Sequence, residues 1–213
     1  MTPDPPRQIL LTGFEPFDGE SVNPSGEVAK QLDGKMIGDC VVRSAILPVQ
    51  HEAARAVVAP LLEAPGLVAV VHLGLAGGRA RISLERMAVN VMDYSRPDAH
   101  GQVLRDVACV EGGPAAYLST LPLREMLAAL TAEGIPAAIS NTAGTYLCND
   151  ISYTTLHALA RRGATIPAGF IHLPFLPSMV SAHNLEEPSM DLQTMIRAVE
   201  ITLPRTIDAR SNP

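Results

Sequence analysis

Apolar and polar positions along this chain change period repeatedly, and the changes mark alternating strands and helices. Residues 8–12 form a short apolar run closed by Gly13, the pattern of a buried strand. Asn23-Pro24-Ser25 opens a helix over 23–32, since proline is tolerated in a first turn whose N–H groups have no intrahelical partners. The spacing predicts a strand over 41–47 and a helix over 51–62 that ends near Pro65-Gly66. Residues 67–73 are almost wholly apolar, as a strand covered on both faces must be. A glycine-rich loop follows over 74–81 and a strand over 87–91. An amphipathic helix over 121–133 stops at Gly134-Ile135-Pro136. Then come a strand over 137–140, a helix over 149–162 ending at Gly163, and a strand over 169–173. The last helix, 191–203, carries Leu192, Met195, Ile196 and Val199 on one face, with Pro204 beyond it.

Strands that alternate with helices predict an α/β/α sandwich around a twisted, largely parallel central sheet. No internal repeat or low-complexity linker interrupts the pattern, so residues 1–213 are expected to form a single domain, with 1–7 a flexible tail. In such a fold chemistry gathers at the carboxyl ends of the strands. Gly13, Gly74, Ser140 and Leu173 each close a strand, and their loops are expected to converge on one rim.

Composition narrows the partners. With 47% hydrophobic and 18% charged residues the chain is globular rather than disordered. A formal net charge of −6, with no basic patch, argues against nucleic acid and anionic membranes. No apolar run approaches the roughly 18 residues of a membrane span, and the start of the chain lacks the basic and apolar regions of a signal peptide. Cys40, Cys109 and Cys148 are odd in number and widely spaced, which favours reduced thiols in the cytoplasm. Neither CxxC nor HExxH occurs, so no structural or catalytic zinc is expected.

Cys148 carries the strongest chemical signal. It ends the turn 141–148, which contains Gly144, and a helix follows it. A cysteine at a helix start meets unpaired N–H groups and a partial positive charge, which favour thiolate and can hold an oxyanion. His172 stands at a strand end, where the rim should lie, and is the candidate base. His72 also ends a strand and is a weaker competitor, whereas His157 lies half a turn round the helix from Cys148. Glu85 can orient an imidazole, or can be a surface charge paired with Arg86. Gly74-Leu75-Ala76-Gly77-Gly78-Arg79 matches neither GxGxxG nor GxxxxGK[ST], and reads as well as a tight loop that lets backbone approach a substrate. Phe14 and Phe17 flank Pro16 and either form a slot for a planar, uncharged ring or clamp the loop.

Taken together, four segments resemble pyroglutamyl peptidase I, or pyrrolidone-carboxylate peptidase, a family of cysteine peptidases. They are Leu11-Thr12-Gly13-Phe14-Glu15-Pro16-Phe17 with Asn23-Pro24-Ser25; Gly77-Gly78-Arg79 through Glu85-Arg86 to Asn90; Thr142-Ala143-Gly144-Thr145 to Cys148-Asn149; and Gly169-Phe170-Ile171-His172-Leu173-Pro174. The segments occur in order over nearly the whole chain. The resemblance implies a Glu85–Cys148–His172 triad that releases an N-terminal pyroglutamyl residue through a thioester, with no cofactor. It implies that Phe14 and Phe17 hold the pyroglutamyl ring and that Asn23, Leu75 and Tyr146 belong to the same pocket. It further implies a cytoplasmic homo-oligomer, commonly a tetramer, acting on peptides with N-terminal pyroglutamate. Two positions depart from the family. Leu75 stands where glutamine is frequent, and Ser95 stands where an arginine assists the oxyanion, leaving Arg96 as its substitute one residue later. A cysteine amidase for another small cyclic amide, or a non-catalytic domain that binds a small ligand, are the other readings of this chain.

Overall fold

The computed structural model describes residues 4–208. The chain opens with β1 (Gln8–Phe14), α1 (Pro24–Leu32), a short β2 (Met36–Ile37), β3 (Cys40–Leu47), α2 (His51–Leu61) and β4 (Leu67–Leu75). Then follow β5 (Ile82–Glu85), β6 (Met87–Val89), β7 (Ala116–Leu118), α3 (Leu123–Ala132) and β8 (Ala137–Ser140). The last part is α4 (Leu147–Arg161), β9 (Ala168–Leu173), α5 (Pro177–Ala182) and α6 (Leu192–Asp208). Of the tail expected over 1–7, residues 1–3 lie outside the described residues, and at its other end the Arg7 carbonyl accepts from the Val41 N–H at 2.9 Å.

A seven-stranded sheet in the order β2-β3-β1-β4-β9-β5-β8 forms the centre. β3, β1, β4 and β9 run parallel, as the sequence predicts. β5 pairs antiparallel with β9, and β8 runs parallel to β5, so these last two strands point the other way. That direction corrects one expectation. Gly13, Gly74 and Leu173 lie toward one rim, but Ser140 closes β8 toward the opposite one. β6 and β7 form a separate two-stranded antiparallel ribbon.

Helices cover both faces. One buried cluster joins Ile9, Leu11, Val71, Leu73, Leu84, Ile171 and Leu173 to α1, α3 and α6. The other joins Leu10, Val70 and Phe170 to α2 and α4. Successive side chains of a strand alternate faces, so His172 shares the α4 face with Phe170, and Glu85, out of phase with Ile82 and Leu84, shares it too. The last helix does not stop at 203 as its proline suggests. Pro204 lies within α6, because Thr206 is buried beyond the expected end and Ile207 packs on the core. That packing offsets the roughly 3 kcal/mol a proline costs inside a helix.

Candidate active site

Cys148 is the second residue of α4, one position inside the helix rather than before it. Tyr146 is the N-cap, in extended backbone, and no side chain caps the first turn. The first-turn N–H groups therefore face the site rather than a capping oxygen. Gly144, at φ +79°, makes the reversal that feeds the chain into the helix. Two buried neighbours pin this end. The Asn149 amide donates to the carbonyls of Val89 at 2.8 Å and Val91 at 3.0 Å, and its oxygen accepts from the Val89 N–H at 2.8 Å. Asp150 takes the Nε of Arg55, from α2, at 2.9 Å, and a second Arg55 nitrogen bonds Asp150 and the Cys109 carbonyl.

Gly74 explains how the thiol fits against the sheet. A Cβ at that position would lie 3.1 Å from Cys148 Sγ and 2.6 Å from the Phe170 ring. Gly74 pairs with His172 across β4 and β9, so the missing side chain leaves the sulfur beside the strand that carries the imidazole. His172 is buried, with its ring centroid 4.7 Å from that of Phe170. Its Nδ1 lies 2.8 Å from Glu85 Oε1.

Glu85 is not a surface charge. It ends β5, is 2% exposed, and takes Arg79 Nη1 on Oε1 at 2.6 Å. Arg86 turns away and donates to Asn141 Oδ1 at 2.9 Å. Burial works to raise the Glu85 carboxyl, but the His172 hydrogen bond and charge, aided by hydrogen bonds from Ser140 and Arg79, outweigh it and hold the group below its ordinary value. An ionised Glu85 accepts, which makes Nδ1 of His172 the donor and leaves Nε2 with its lone pair. Burial lowers the His172 pKa against the opposing pull of Glu85, so the ring stays neutral. Burial also pushes the Cys148 thiol up to about 12, with the Glu85 charge adding to it. The thiolate expected from the helix start is thus not the resting form; desolvation on the pocket floor outweighs the helix end.

The competing histidines have other work. His72 is fully buried, with Thr12 Oγ1 at 2.7 Å from Nδ1 and Thr155 Oγ1 at 3.0 Å from Nε2. His157 meets the Tyr117 hydroxyl at 3.0 Å. Cys40 and Cys109 are both buried.

A cavity of about 440 Å³ opens on Cys148. Phe14, Phe17, Asn23, Leu75, Tyr146 and Arg96 all line it, and so do Val49 and Phe175, which sequence reasoning passed over. Phe14 is not a loop residue; it closes β1 and is 5% exposed. Its N–H bonds Ser25 Oγ at 3.0 Å, which in turn donates to Asn23 Oδ1 at 2.8 Å. Asn23 Nδ2 donates to the Glu15 carbonyl at 3.0 Å, so Asn23 caps α1 and holds the loop that carries Phe17. Tyr146 packs its ring edge-on against Tyr94 at 4.6 Å and donates to the Pro97 carbonyl at 3.0 Å. Arg96 sits at the exposed side of the cavity, 2.7 Å from Asp18 and 6.0 Å from the Phe17 ring centroid. Among the described residues, no group of three or more His, Cys, Asp or Glu is placed to hold a metal ion.

Comparison with known proteins adds an independent line. The pyroglutamyl peptidase family pattern matches residues 7–209. The pyrrolidone-carboxylate peptidase of Klebsiella pneumoniae is 46% identical over 206 residues, 95% of each chain. That of Pyrococcus furiosus is 42% identical over 199 residues, 92% of this chain and 96% of its own. Among solved structures, pyrrolidone carboxyl peptidase from Pyrococcus furiosus superposes with a TM-score of 0.91 at 41% identity, covering 94% of this chain and 98% of that one. Pyroglutamyl peptidase I from Bacillus amyloliquefaciens gives 0.90 at 35% identity, with 95% of both chains covered.

Proposed function

The chain belongs to the pyroglutamyl peptidase family of cysteine peptidases, and from that premise we propose that it removes an N-terminal pyroglutamyl residue from peptides through a Glu85–His172–Cys148 triad. The observation that carries this reading is the 2.8 Å Glu85–His172 hydrogen bond on the sheet face where Cys148 floors the cavity. A pyroglutamyl terminus is a neutral lactam with no ammonium group. A cleft walled by Phe14, Phe17 and Leu75 accommodates it without leaving a buried charge unpaired. Asn23 acts by holding the Phe14–Phe17 loop, Tyr146 by forming the opposite wall, and Arg96 by adding positive potential at the opening.

The reaction follows from the protonation states. Nε2 of neutral His172 takes the Sγ proton as the sulfur attacks the pyroglutamyl carbonyl carbon, so proton transfer accompanies attack. First-turn N–H groups of α4 hold the oxyanion. The imidazolium, stabilised by Glu85, gives its proton to the leaving peptide amine as the C–N bond breaks. Water, deprotonated by His172, then cleaves the thioester and releases pyroglutamate and the thiol. Family membership also supports a cytoplasmic homo-oligomer, a tetramer by resemblance; among the described residues, no helix is long and apolar enough to cross a membrane. The test is release of aminocoumarin from a pyroglutamyl conjugate, with a prolyl conjugate and Cys148→Ala alongside. Release from the pyroglutamyl compound alone, lost in Cys148→Ala, is the expected result. Equal release from both conjugates, or from the variant, overturns the reading.

A further inference from the structure

Arg79 has no part in the chemistry above, yet it touches both halves of the site. Its Nη1 lies 2.6 Å from Glu85 Oε1, and its Nη2 donates to the Thr142 carbonyl at 3.4 Å. Glu85 carries His172, and Thr142 belongs to the loop that delivers Cys148. We propose that Arg79 is a positioning residue for the reaction, its guanidinium fork tying the carboxylate that orients His172 to the loop that delivers Cys148. The proposal rests on the reading of Glu85, His172 and Cys148 as the reacting constellation.

Three observations carry it. First, Glu85 Oε1 accepts from both Arg79 and His172, while Oε2 is buried and has no hydrogen-bond partner among the described residues. The two donors on Oε1, with Ser140 acting beside them, set the rotation of the carboxylate, and removing Arg79 takes away one of the two donors on that oxygen. Second, Arg79 reaches Glu85 and Thr142 with different nitrogens. A planar fork spans two acceptors in fixed geometry, which the single ammonium of lysine does not reproduce. Third, Arg79 lies in the segment between β4 and β5, and the same segment forms cavity wall at Gly77 and Gly78, so the residue joins substrate wall, base and nucleophile loop.

Its charge acts in the same direction at each group. The titratable and charged groups facing the pair are Arg79 from this segment, Cys148 from α4, and His72 from β4 across the Phe170 ring. Arg79 lowers Glu85, lowers His172 and lowers Cys148, with Arg96 also acting on the thiol. Without the arginine, His172 takes up its proton at higher pH, and the fraction present as neutral base falls on the acid side.

The experiment measures kcat, KM and the pH profile of pyroglutamyl-aminocoumarin hydrolysis for the wild type, Arg79→Met and Arg79→Lys. Arg79→Met should lower kcat roughly 10- to 100-fold, the scale of a misplaced catalytic group. KM should stay within about twofold, because no substrate contact is lost, and the acid limb of the profile should move to higher pH. Arg79→Lys should keep the acid limb near its place but recover only part of kcat. A wild-type kcat and acid limb in Arg79→Met, or a raised KM at unchanged kcat, overturns the proposal. If circular dichroism finds Arg79→Met unfolded, Arg79→Lys decides, and full wild-type kcat there rejects the fork. Failure of the wild type itself to hydrolyse the conjugate counts against the triad reading instead, so the two failures are distinct.

Discussion

At Cys148 two effects oppose each other. The start of α4 favours thiolate by about 0.3–1 kcal/mol, up to about 2 when partly buried. Loss of water around the sulfur acts the other way: a rise from 9.0 to about 12 corresponds to roughly 4 kcal/mol against ionisation. Desolvation wins, and the resting site holds a neutral thiol and a neutral imidazole. Alkylation of the ligand-free protein by iodoacetamide should therefore accelerate as pH rises through 8 to 10, without the neutral-pH plateau of a preformed thiolate. A plateau below pH 7 would show an ion pair at rest and require a different first step. The same balance assigns the roles of neighbouring residues. Cys148→Ala should abolish turnover, while Cys109→Ala, whose thiol is buried and also pushed up to about 12, should retain it. Glu85→Gln keeps the shape of the side chain but loses the charge that stabilises the imidazolium. A kcat lower by roughly 10²- to 10⁴-fold, with unchanged circular dichroism, is expected from steady-state kinetics.

Among the elements, β5, α4 and β9 share the task of bringing three distant residues onto one face, with β4 between β9 and the rest of the parallel sheet. Gly74 is the clearest constraint, because a methyl group there would press on the buried Phe170 ring at 2.6 Å and on Sγ at 3.1 Å. Its backbone needs no left-handed conformation, so the requirement is space alone. Gly74→Ala should cost about 1–3 kcal/mol by overpacking and lower kcat more than KM as the sulfur shifts; urea unfolding and kinetics on one preparation would separate the two effects. The proposed nucleophile and base, Cys148 and His172, stood out through local signals, a glycine turn before a helix and a histidine at the end of an apolar run. Glu85 was ambiguous because its role depends on the direction of β5, and four residues reading Ile-Ser-Leu-Glu do not declare that they pair antiparallel with a strand nearly ninety positions away. Arg79, Asn149 and Arg55 were passed over for a related reason. Asn149 and Arg55 act through partners far along the chain, and Arg79 joins Glu85, six positions on, to Thr142, 63 positions on; no local period marks such contacts. The one signal available for Asn149 and Asp150 was polarity where helix α4 must bury a face, since both are 1% exposed. Pro204 misled in the opposite direction, a local stop overridden by packing.

Across the whole molecule, the layer behind the reacting groups is tied together by a buried polar chain. Thr12 of β1, His72 of β4 and Thr155 of α4 are linked at 2.7 and 3.0 Å, all within the core that fixes α4 against the sheet. Burial lowers the His72 pKa from 6.5 to about 3, so the fold holds this ring neutral. The unfolded chain binds a proton at His72 below about pH 6.5, whereas the native state resists until about pH 3. The stabilisation is therefore complete above 6.5 and is lost as pH falls toward 3. By pH 4 the loss amounts to roughly 3 kcal/mol. Other groups that titrate in this range, including Glu85 and His172, do so equally in a variant lacking the ring, so they cancel in the difference. His72→Gln should be less stable than wild type at pH 7, where it forfeits the Thr12 and Thr155 contacts, yet lose less on acidification. Urea midpoints for both proteins at pH 7 and pH 4 measure this directly. Parallel decreases would place the acid sensitivity elsewhere, whereas converging stabilities would locate it at His72, which joins the sheet to the helix that carries Cys148.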